Sequence, residues 1–273
     1  MTNNTSGINF AEIGAAAATA ENQTEMKEGG GGFDKVVPDA GICTLRLRQY
    51  IETGSHKGNN PKYPKPSMQV MLRFEVNSKR HMIEYDDADG NTKSVPNTID
   101  VYLPKGGAGS KYGRLFKSLN YSGRFNHFAE MVGAGAWKAN ITHNVVGDKT
   151  YANLDKDGAW TFEAPFFQAN DPETGMPVGE VKQIPVTELD GDPQVFLWEN
   201  KGLSDEQYLS LWADLFIEGE YEATKDKPAK SKNWIQEKIQ SNLKYPGSRL
   251  EKLVGAGTSA ADVSALEDLP IDT

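Results

Sequence analysis

The stretch RLRQYIETGSHKGNNPKYPKPSMQVMLRFEV, residues 46–76, contains two β patterns joined by a linker rich in Gly, Asn, Pro and Lys. At its start, Leu45 and Leu47 are predicted to point to one side, whereas Arg46, Arg48 and Tyr50 point to the other, with the period of two of a half-buried strand. The run MQVMLRFEV alternates in the same way. The stretch therefore predicts two paired strands with one apolar face and one polar, partly basic face.

More strand patterns and one helical pattern follow. The runs HMIEYDDADGNTKSV (81–95) and NTIDVYLP (97–104) have strand character, and residues 136–162 return to it with a turn at Asp157 and Gly158. Between them, residues 111–132 follow a helical period. Short strands with one helix before the last strands predict a mainly β fold with an OB-like barrel, and a two-sheet sandwich fits the same pattern.

Residues 155–223 differ from the rest because they carry sixteen Asp and Glu against three Lys. Within them SDEQYLSLWADLF predicts an amphipathic helix, with Ser204 and Gln207 as a capping box. The run NWIQEKIQSNLKY (233–245) predicts a second helix, with Ser231 as its cap. We therefore expect an acidic, helical elaboration of the β domain near its C-terminal end.

The two ends of the chain contain few large apolar side chains. Residues 1–32 are expected to be a flexible arm, residues 33–254 the folded domain and residues 255–273 a disordered acidic tail. There is no basic, apolar leader and no membrane-spanning stretch in this sequence, and it has a single cysteine. We expect a cytoplasmic protein with no membrane partner.

No catalytic or metal-binding pattern stands out. The histidines lack metal-ligand spacing, DDADGN and DKDG lack the final Glu of a calcium loop, and KGGAGSKYG (105–113) lacks the Gly-Lys-Ser/Thr ending of a phosphate loop. We therefore expect a protein that is not an enzyme and has no cofactor or metal. A metal-dependent nuclease using Asp86, Asp87, Asp89 and Asp100 remains an alternative.

The distribution of charge gives the strongest functional signal. The net charge of −9 argues against a uniformly basic surface, yet residues 103–129 contain five Lys and Arg and no acid. Cations beside exposed rings suit a single strand, whose phosphates take the charge and whose bases stack on the rings. The predicted DNA-binding residues are Arg46, Arg48, Tyr50, Lys57, Lys62, Tyr63, Lys65, Arg73, Lys111, Tyr112, Arg114 and Tyr121. The strand arginines are the firmest of these predictions.

The acidic tail has two possible roles. It can fold back onto a basic groove and compete with other anions. It can also act as a docking peptide for partner proteins, through Glu267, Asp268, Leu269, Ile271 and Asp272. A merely solubilising tail is the simpler alternative.

Four segments together resemble the phage-encoded single-stranded DNA-binding proteins with an OB-like core. They are GGGFDKVVPDAGICTLRLRQYIETGSHKG (30–58), KPSMQVMLRFEV (65–76), SKYGRLFKSLNYSGRFNHFAEMVGAGAWKANITHN (110–144) and NWIQEKIQSNLKYPGS (233–248). The resemblance implies a non-catalytic protein that coats single strands during phage DNA replication or recombination. If a phage encodes it, the expected location is the host cell cytoplasm, and the expected partners of the acidic tail are replication or recombination proteins. It also implies that residues 46–50 and 68–76 form a groove wall, with residues 111–124 beside it. The runner-up hypothesis is a virion structural or assembly adaptor with a β-barrel module.

Overall fold

The computed structural model describes residues 36–58, 64–86, 90–221, 223 and 228–255. The described part of the protein is mainly β, with 41% of the described residues in strands and 19% in helices, and its sheet is curled into a half-barrel. The predicted fold class is confirmed at this level. The predicted arm at 1–32 and almost all of the predicted tail at 255–273 lie outside the described residues.

Thirteen strands and four α-helices make up the described part of the fold. The strands are β1 Gly41–His56, β2 Ser67–Val76, β3 Met82–Asp86, β4 Thr92–Pro104, β5 Ala136–Val146, β6 Lys149–Asn153, β7 Asp155–Lys156, β8 Ala159–Trp160, β9 Phe166–Asn170, β10 Pro177–Gln183, β11 Gln194–Phe196, β12 Glu220–Tyr221 and β13 Lys230–Ser231. The helices are α1 Lys111–Leu119, α2 Asp205–Ala213, α3 Trp234–Gln240 and α4 Arg249–Gly255. Two single 3₁₀ turns span Lys79–His81 and Phe128–Met131.

The main sheet has seven strands in the order β3-β4-β2-β1-β5-β6, and β11 pairs in parallel with β1. The other strands on this path pair antiparallel with their neighbours. Three two-stranded sheets lie outside it, formed by β7 with β8, β9 with β10, and β12 with β13. The predicted antiparallel pairing of residues 46–56 with 67–76 is confirmed.

A β-bulge in β1 changes which side chains face the core. Leu47 pairs with Phe74, but the next pair of the ladder is Gln49 with Arg73, so Arg48 is the extra residue. The bulge turns Tyr50 to the same side as Leu47, where it is fully buried. The prediction that Tyr50 shares the polar face with Arg46 and Arg48 is therefore wrong.

Two apolar cores lie on opposite faces of the sheet. The first contains Leu45, Leu47 and Phe74 of the hairpin, with Leu115 of α1 and Trp137 of β5 packed against them. Because α1 crosses this face, its apolar side chains close one side of the half-barrel. The predicted helix over 111–132 is shorter in the structure and ends at Leu119.

The second core covers the other face of the hairpin and joins it to the C-terminal helices. Ile51 of β1 and Met71 of β2 lie in a buried cluster with Phe196 of β11, Tyr208 of α2 and Ile239 of α3. Every residue of β1 from Gln49 to His56 is consequently buried. The polar side chains expected to face solvent on this half of the strand are buried, because β11 and the helices cover them.

The C-terminal predictions are confirmed in part. Ser204 and Gln207 form the predicted capping box at the start of α2. Ser231 does not cap α3 directly, because its hydroxyl accepts a hydrogen bond from the amide of Asn233, the residue before the helix. Among the described residues, no helix combines the length and apolar character needed to cross a membrane.

The second core leads to a prediction about stability. Phe196→Ala should lower the free energy of unfolding by about 3–5 kcal/mol, because it empties a fully buried site between β1 and α2. Urea denaturation measures the loss. The matched control is Phe216→Ala, whose ring is 50% exposed and which should cost less than about 1 kcal/mol. Equal losses in the two variants would contradict a core on this face.

Candidate nucleic-acid interface

The guanidinium of Arg46 is occupied by other parts of the chain. It donates to the backbone carbonyls of Gly133, Val186 and Thr187, and it pairs with the carboxylate of Glu188. Only 11% of the side chain is exposed. Arg46 therefore holds the segment 186–192 against β1 and has little surface left for a ligand.

The segment 186–192, which we call the acidic strap, also occupies Arg48. The Nε of Arg48 donates to the carbonyl of Asp192, and Gly191 lies so close that a Cβ there would be 1.9 Å from the Cζ of Arg48. From β2, the carboxylate of Glu75 accepts hydrogen bonds from the amides of Asp190 and Gly191. The strap is thus fixed to the sheet from two strands.

The third strand arginine, Arg73, forms an internal ion pair. Its Nε and one of its terminal nitrogens lie 2.7 and 3.0 Å from the two carboxylate oxygens of Asp100, and its guanidinium lies over the ring of Trp234. Its side chain is 19% exposed. Arg46, Arg48 and Arg73 therefore all make internal contacts on a face where the strap and Trp234 of α3 also lie, and DNA binding by these three residues stays a prediction.

Exposed cations lie instead at one end of the sheet. Lys57 follows β1 and Lys65 precedes β2, so both flank the tip of the hairpin, and both are exposed. The amide of Lys105 donates to the carbonyl of Met68, which brings the connection after β4 to the same end. The β1–β2 and β4–α1 connections therefore form one basic end, to which Arg114 and Lys117 of α1 also contribute exposed side chains.

A buried polar network anchors this end to the first core. The carboxylate of Glu52, 3% exposed, pairs with Lys105 and accepts a hydrogen bond of 2.9 Å from the Tyr50 hydroxyl. The hydroxyls of Tyr50 and Tyr112 are 2.9 Å apart. Burial, and then the charge of Glu52, hold the pKa of Tyr50 above its ordinary value. The network fixes Tyr112 and Lys105 at the entrance to the glycine-rich connection.

The glycine-rich connection folds onto the first turn of α1. Ser110 caps the helix by accepting a hydrogen bond from the Gly113 amide, and its hydroxyl donates to the carbonyl of Gly107. A Cβ on Gly113 would lie 2.4 Å from that carbonyl oxygen. The absence of a side chain at Gly113 therefore allows the connection to contact the helix.

This close packing borders a cleft of about 380 Å³, which we call the loop–helix cleft. It lies between residues 106–108, one side of α1 and residues 126–128. Tyr112 and Phe116 of α1 contribute rings, and Lys117, Asn126 and His127 contribute polar groups. The cleft thus combines aromatic surface with a cation, within the acid-free segment 103–129.

His127 has a defined orientation in this cleft. Its Nδ1 accepts a hydrogen bond of 3.1 Å from the amide of Ala129, and its ring packs edge-on against Tyr50. Burial lowers the pKa of His127 below its ordinary value, against the opposing effect of the Glu52 charge. The neutral ring therefore carries its proton on Nε2, which can donate a hydrogen bond. The sequence offered no signal for this role beyond the position of His127 among aromatic residues.

The remaining predicted site residues fall into three groups. Arg114 and Tyr121 are exposed, although each donates one hydrogen bond to a backbone carbonyl. Lys111 pairs with Asp155 and lies over the ring of Trp160, so it is partly occupied. The other predicted residues, Lys62, Tyr63, Glu267, Asp268, Leu269, Ile271 and Asp272, lie outside the described residues.

The nuclease alternative has little geometric support in the part of the chain that the structure describes. There, no group of three His, Cys, Asp or Glu side chains is arranged to hold a metal ion. Of the four aspartates proposed for it, Asp100 pairs with Arg73, and Asp87 and Asp89 lie outside the described residues.

No protein-family model, curated protein or solved structure matches this chain.

The close contact at Gly113 predicts that replacing this helical glycine with alanine destabilises the protein. Gly→Ala in a helix ordinarily stabilises by about 0.5–1 kcal/mol. Gly113→Ala should instead lower the free energy of unfolding by about 1–3 kcal/mol, because the new methyl collides with the backbone of residues 107–108. Thermal or urea denaturation measures it.

Gly107→Ala serves as the matched control, since a Cβ there meets no atom within 4 Å. Its stability should stay within about 0.5 kcal/mol of the wild-type value. A stabilised Gly113→Ala variant would show that the connection does not rest on α1.

Proposed function

We propose that this protein binds single-stranded DNA, without strong sequence preference, at the basic end of its sheet. The observation that carries the proposal is the exposure of Lys57 and Lys65 beside the hairpin tip and of Arg114 and Lys117 on α1, where Lys117 borders a cleft that is lined by aromatic rings. Lys57 and Lys65 flank the tip of the β1–β2 hairpin, and the hydrogen bond from the Lys105 amide to the Met68 carbonyl brings the connection that leads into α1 to the same end of the sheet.

The proposed mechanism divides the work between charge and stacking. The lysines and arginines of the basic end bind DNA phosphates, which then release their condensed counterions. This contribution to affinity does not depend on the DNA sequence. The half-buried ring of Tyr112 and the 48% exposed ring of Tyr121 offer surfaces on which unpaired bases stack. Residues 57 and 65 flank the hairpin tip, so the strand would lie across the β1–β2 and β4–α1 connections.

In this proposal the strand arginines stabilise the fold and do not contact DNA. Arg46 and Arg48 hold the acidic strap, and Arg73 joins β2 to β4 through Asp100. The strap also places Glu188, Asp190 and Asp192 over this face of the sheet, where they would repel phosphates. The binding surface is therefore assigned to the end of the sheet and not to this face.

We further propose that the β domain is of the OB type. The neighbours of the five strands β1, β2, β4, β5 and β6 support it, since β1 lies between β2 and β5, β4 lies beside β2, and β6 lies beside β5. The position of α1 between the third and fourth of these strands also fits. The resemblance of four segments to phage-encoded single-stranded DNA-binding proteins supports phage DNA replication or recombination as the setting.

The electrostatic part of the mechanism predicts a steep dependence on salt. Affinity for labelled oligo(dT) should fall about tenfold or more between roughly 50 and 200 mM salt, if several phosphates are contacted. The double variant Arg114→Glu with Lys117→Glu should bind about tenfold or more weakly at the lower salt, with a shallower salt slope. Fluorescence anisotropy at several salt concentrations measures both.

The control for net charge is Lys149→Glu with Lys182→Glu, which reverses two exposed lysines on β6 and β10. It changes the total charge by the same amount and should leave most of the affinity intact. Tight binding with no salt slope, or equal losses in the two double variants, would argue against capture at the basic end.

A second candidate function is an assembly module of a virion, and the β9–β10 hairpin is the observation that favours it. The hairpin forms a two-stranded sheet of its own, and Phe167, Val178 and Val181 on it are 59, 42 and 59% exposed. Exposed apolar side chains grouped in this way are typical of interaction surfaces.

This candidate predicts a large oligomer in the absence of DNA. Phe167→Asp should dissociate it, because a charge at the contact is costly to bury. Sedimentation velocity measures the size, and Val145→Asp on β5, a position that is 65% exposed, is the matched control. A monomeric wild-type protein that binds oligo(dT) would count against an assembly role.

A further inference from the structure

We propose that the loop–helix cleft is a pocket for one unstacked nucleobase of the bound single strand. This inference rests on the proposed function. It assigns one part of the proposed DNA-binding site to a base, whereas the nearby cations bind the phosphates. The ligand class is a nucleobase that has left its stack, and the residues assigned to it are Tyr112, Phe116, Asn126 and His127.

The volume of the cleft suits a small planar group. About 380 Å³ lies at the lower end of the range of roughly 300–1,000 Å³ that small-molecule sites occupy. The space is bordered by the backbone of residues 106–108, where two of the three residues are glycine and the third is alanine. Small residues on this wall allow a flat ring to approach the backbone closely.

Aromatic rings form the opposite wall. Tyr112 and Phe116 are one helical turn apart on α1, and each lies 5.0 Å from the ring of Phe128 between centroids. Phe128 is buried and holds the two half-buried rings in place. A base stacked on an aromatic side chain gains roughly 5- to 140-fold in affinity, so one ring contact here is measurable.

Two polar groups in the cleft are available to the edge of a base. Within the part of the chain that the structure describes, Nε2 of His127 and the side-chain amide of Asn126 have no hydrogen-bond partner. The amide can both donate and accept, whereas Nε2 of the neutral ring donates. The two together can meet the mixed donors and acceptors of a base without selecting one base strictly.

The pocket also distinguishes single strands from duplexes. A base in a duplex is paired and stacked on both faces, so it reaches a concave site only after it is extruded from the helix. A base in a single strand has no pairing to lose. Exposed Lys117 borders the cleft, so a phosphate beside the base finds a cation nearby.

The test compares two ligands with the same phosphates. Full-length protein is titrated with labelled dT 12-mer and with a 12-mer of abasic residues, at one low salt concentration. The wild-type protein should bind the dT oligomer at least about fivefold more tightly than the abasic one. Tyr112→Leu and Asn126→Ala should each reduce this ratio severalfold, while abasic binding changes less than about twofold.

Two controls separate the pocket from general effects. Tyr112→Phe keeps the ring but loses the contact with the Tyr50 hydroxyl, so it should retain most of the ratio. Tyr151→Leu removes a 49% exposed tyrosine from β6 and should leave the ratio unchanged. Retained abasic binding shows in each variant that the basic end is still folded.

The possible failures can be told apart. Equal affinity for the two oligomers, or a ratio that Tyr112→Leu and Asn126→Ala leave unchanged, would overturn the pocket and leave the proposed function standing. Binding of neither oligomer by the wild-type protein would overturn the proposed function, and the pocket with it.

Discussion

The β-bulge at Arg48 is the constraint on which the rest of the structure depends. By inserting one residue into the ladder with β2, it moves Tyr50 to the side of Leu47 and turns Ile51 to the opposite face. The same hairpin can then bury apolar side chains on both faces of its far half. The second core depends on this reversal of side-chain direction, because it places Ile51 where Phe196 of β11 and Tyr208 of α2 pack against it.

The acidic strap covers the same face of the sheet near Arg46 and Arg48, and it determines the contacts of both side chains. A guanidinium beside a sheet must be solvated or paired, and here the acidic strap supplies carbonyls and carboxylates to Arg46 and Arg48. The same strap is held by Glu75, which is 1% exposed. Positive charge on the strands thus joins the fold together, while lysines in the connections stay exposed at the end of the sheet. Exposure, more than charge, separates structural cations from candidate binding cations.

The loop–helix cleft depends on two local features that act together. Ser110 ends the glycine-rich connection and starts α1 through a single side-chain oxygen, and Gly113 lets the connection approach the helix. From the other side, the network of Glu52, Tyr50 and Tyr112 ties the base of the connection to the first core. A mainly apolar core thereby positions Tyr112 and Lys117 in the surface cleft, since both lie on α1 and Tyr112 is hydrogen-bonded to the buried Tyr50.

The sequence by itself determined the local elements: the period-two hairpin, the capping box at Ser204 and the turn at Asp157, where positive φ angles of 53° and 81° at Asp157 and Gly158 suit the two residues. It also located the acid-free segment 103–129 that borders the cleft. It did not determine the bulge, which leaves no mark on an alternating pattern, nor which face of the hairpin the strap would cover. The bulge depends on the register of β1 with β2. The covering of the face depends on contacts between residues some 140 positions apart, as between Arg46 and Thr187, and only the tertiary structure brings such residues together.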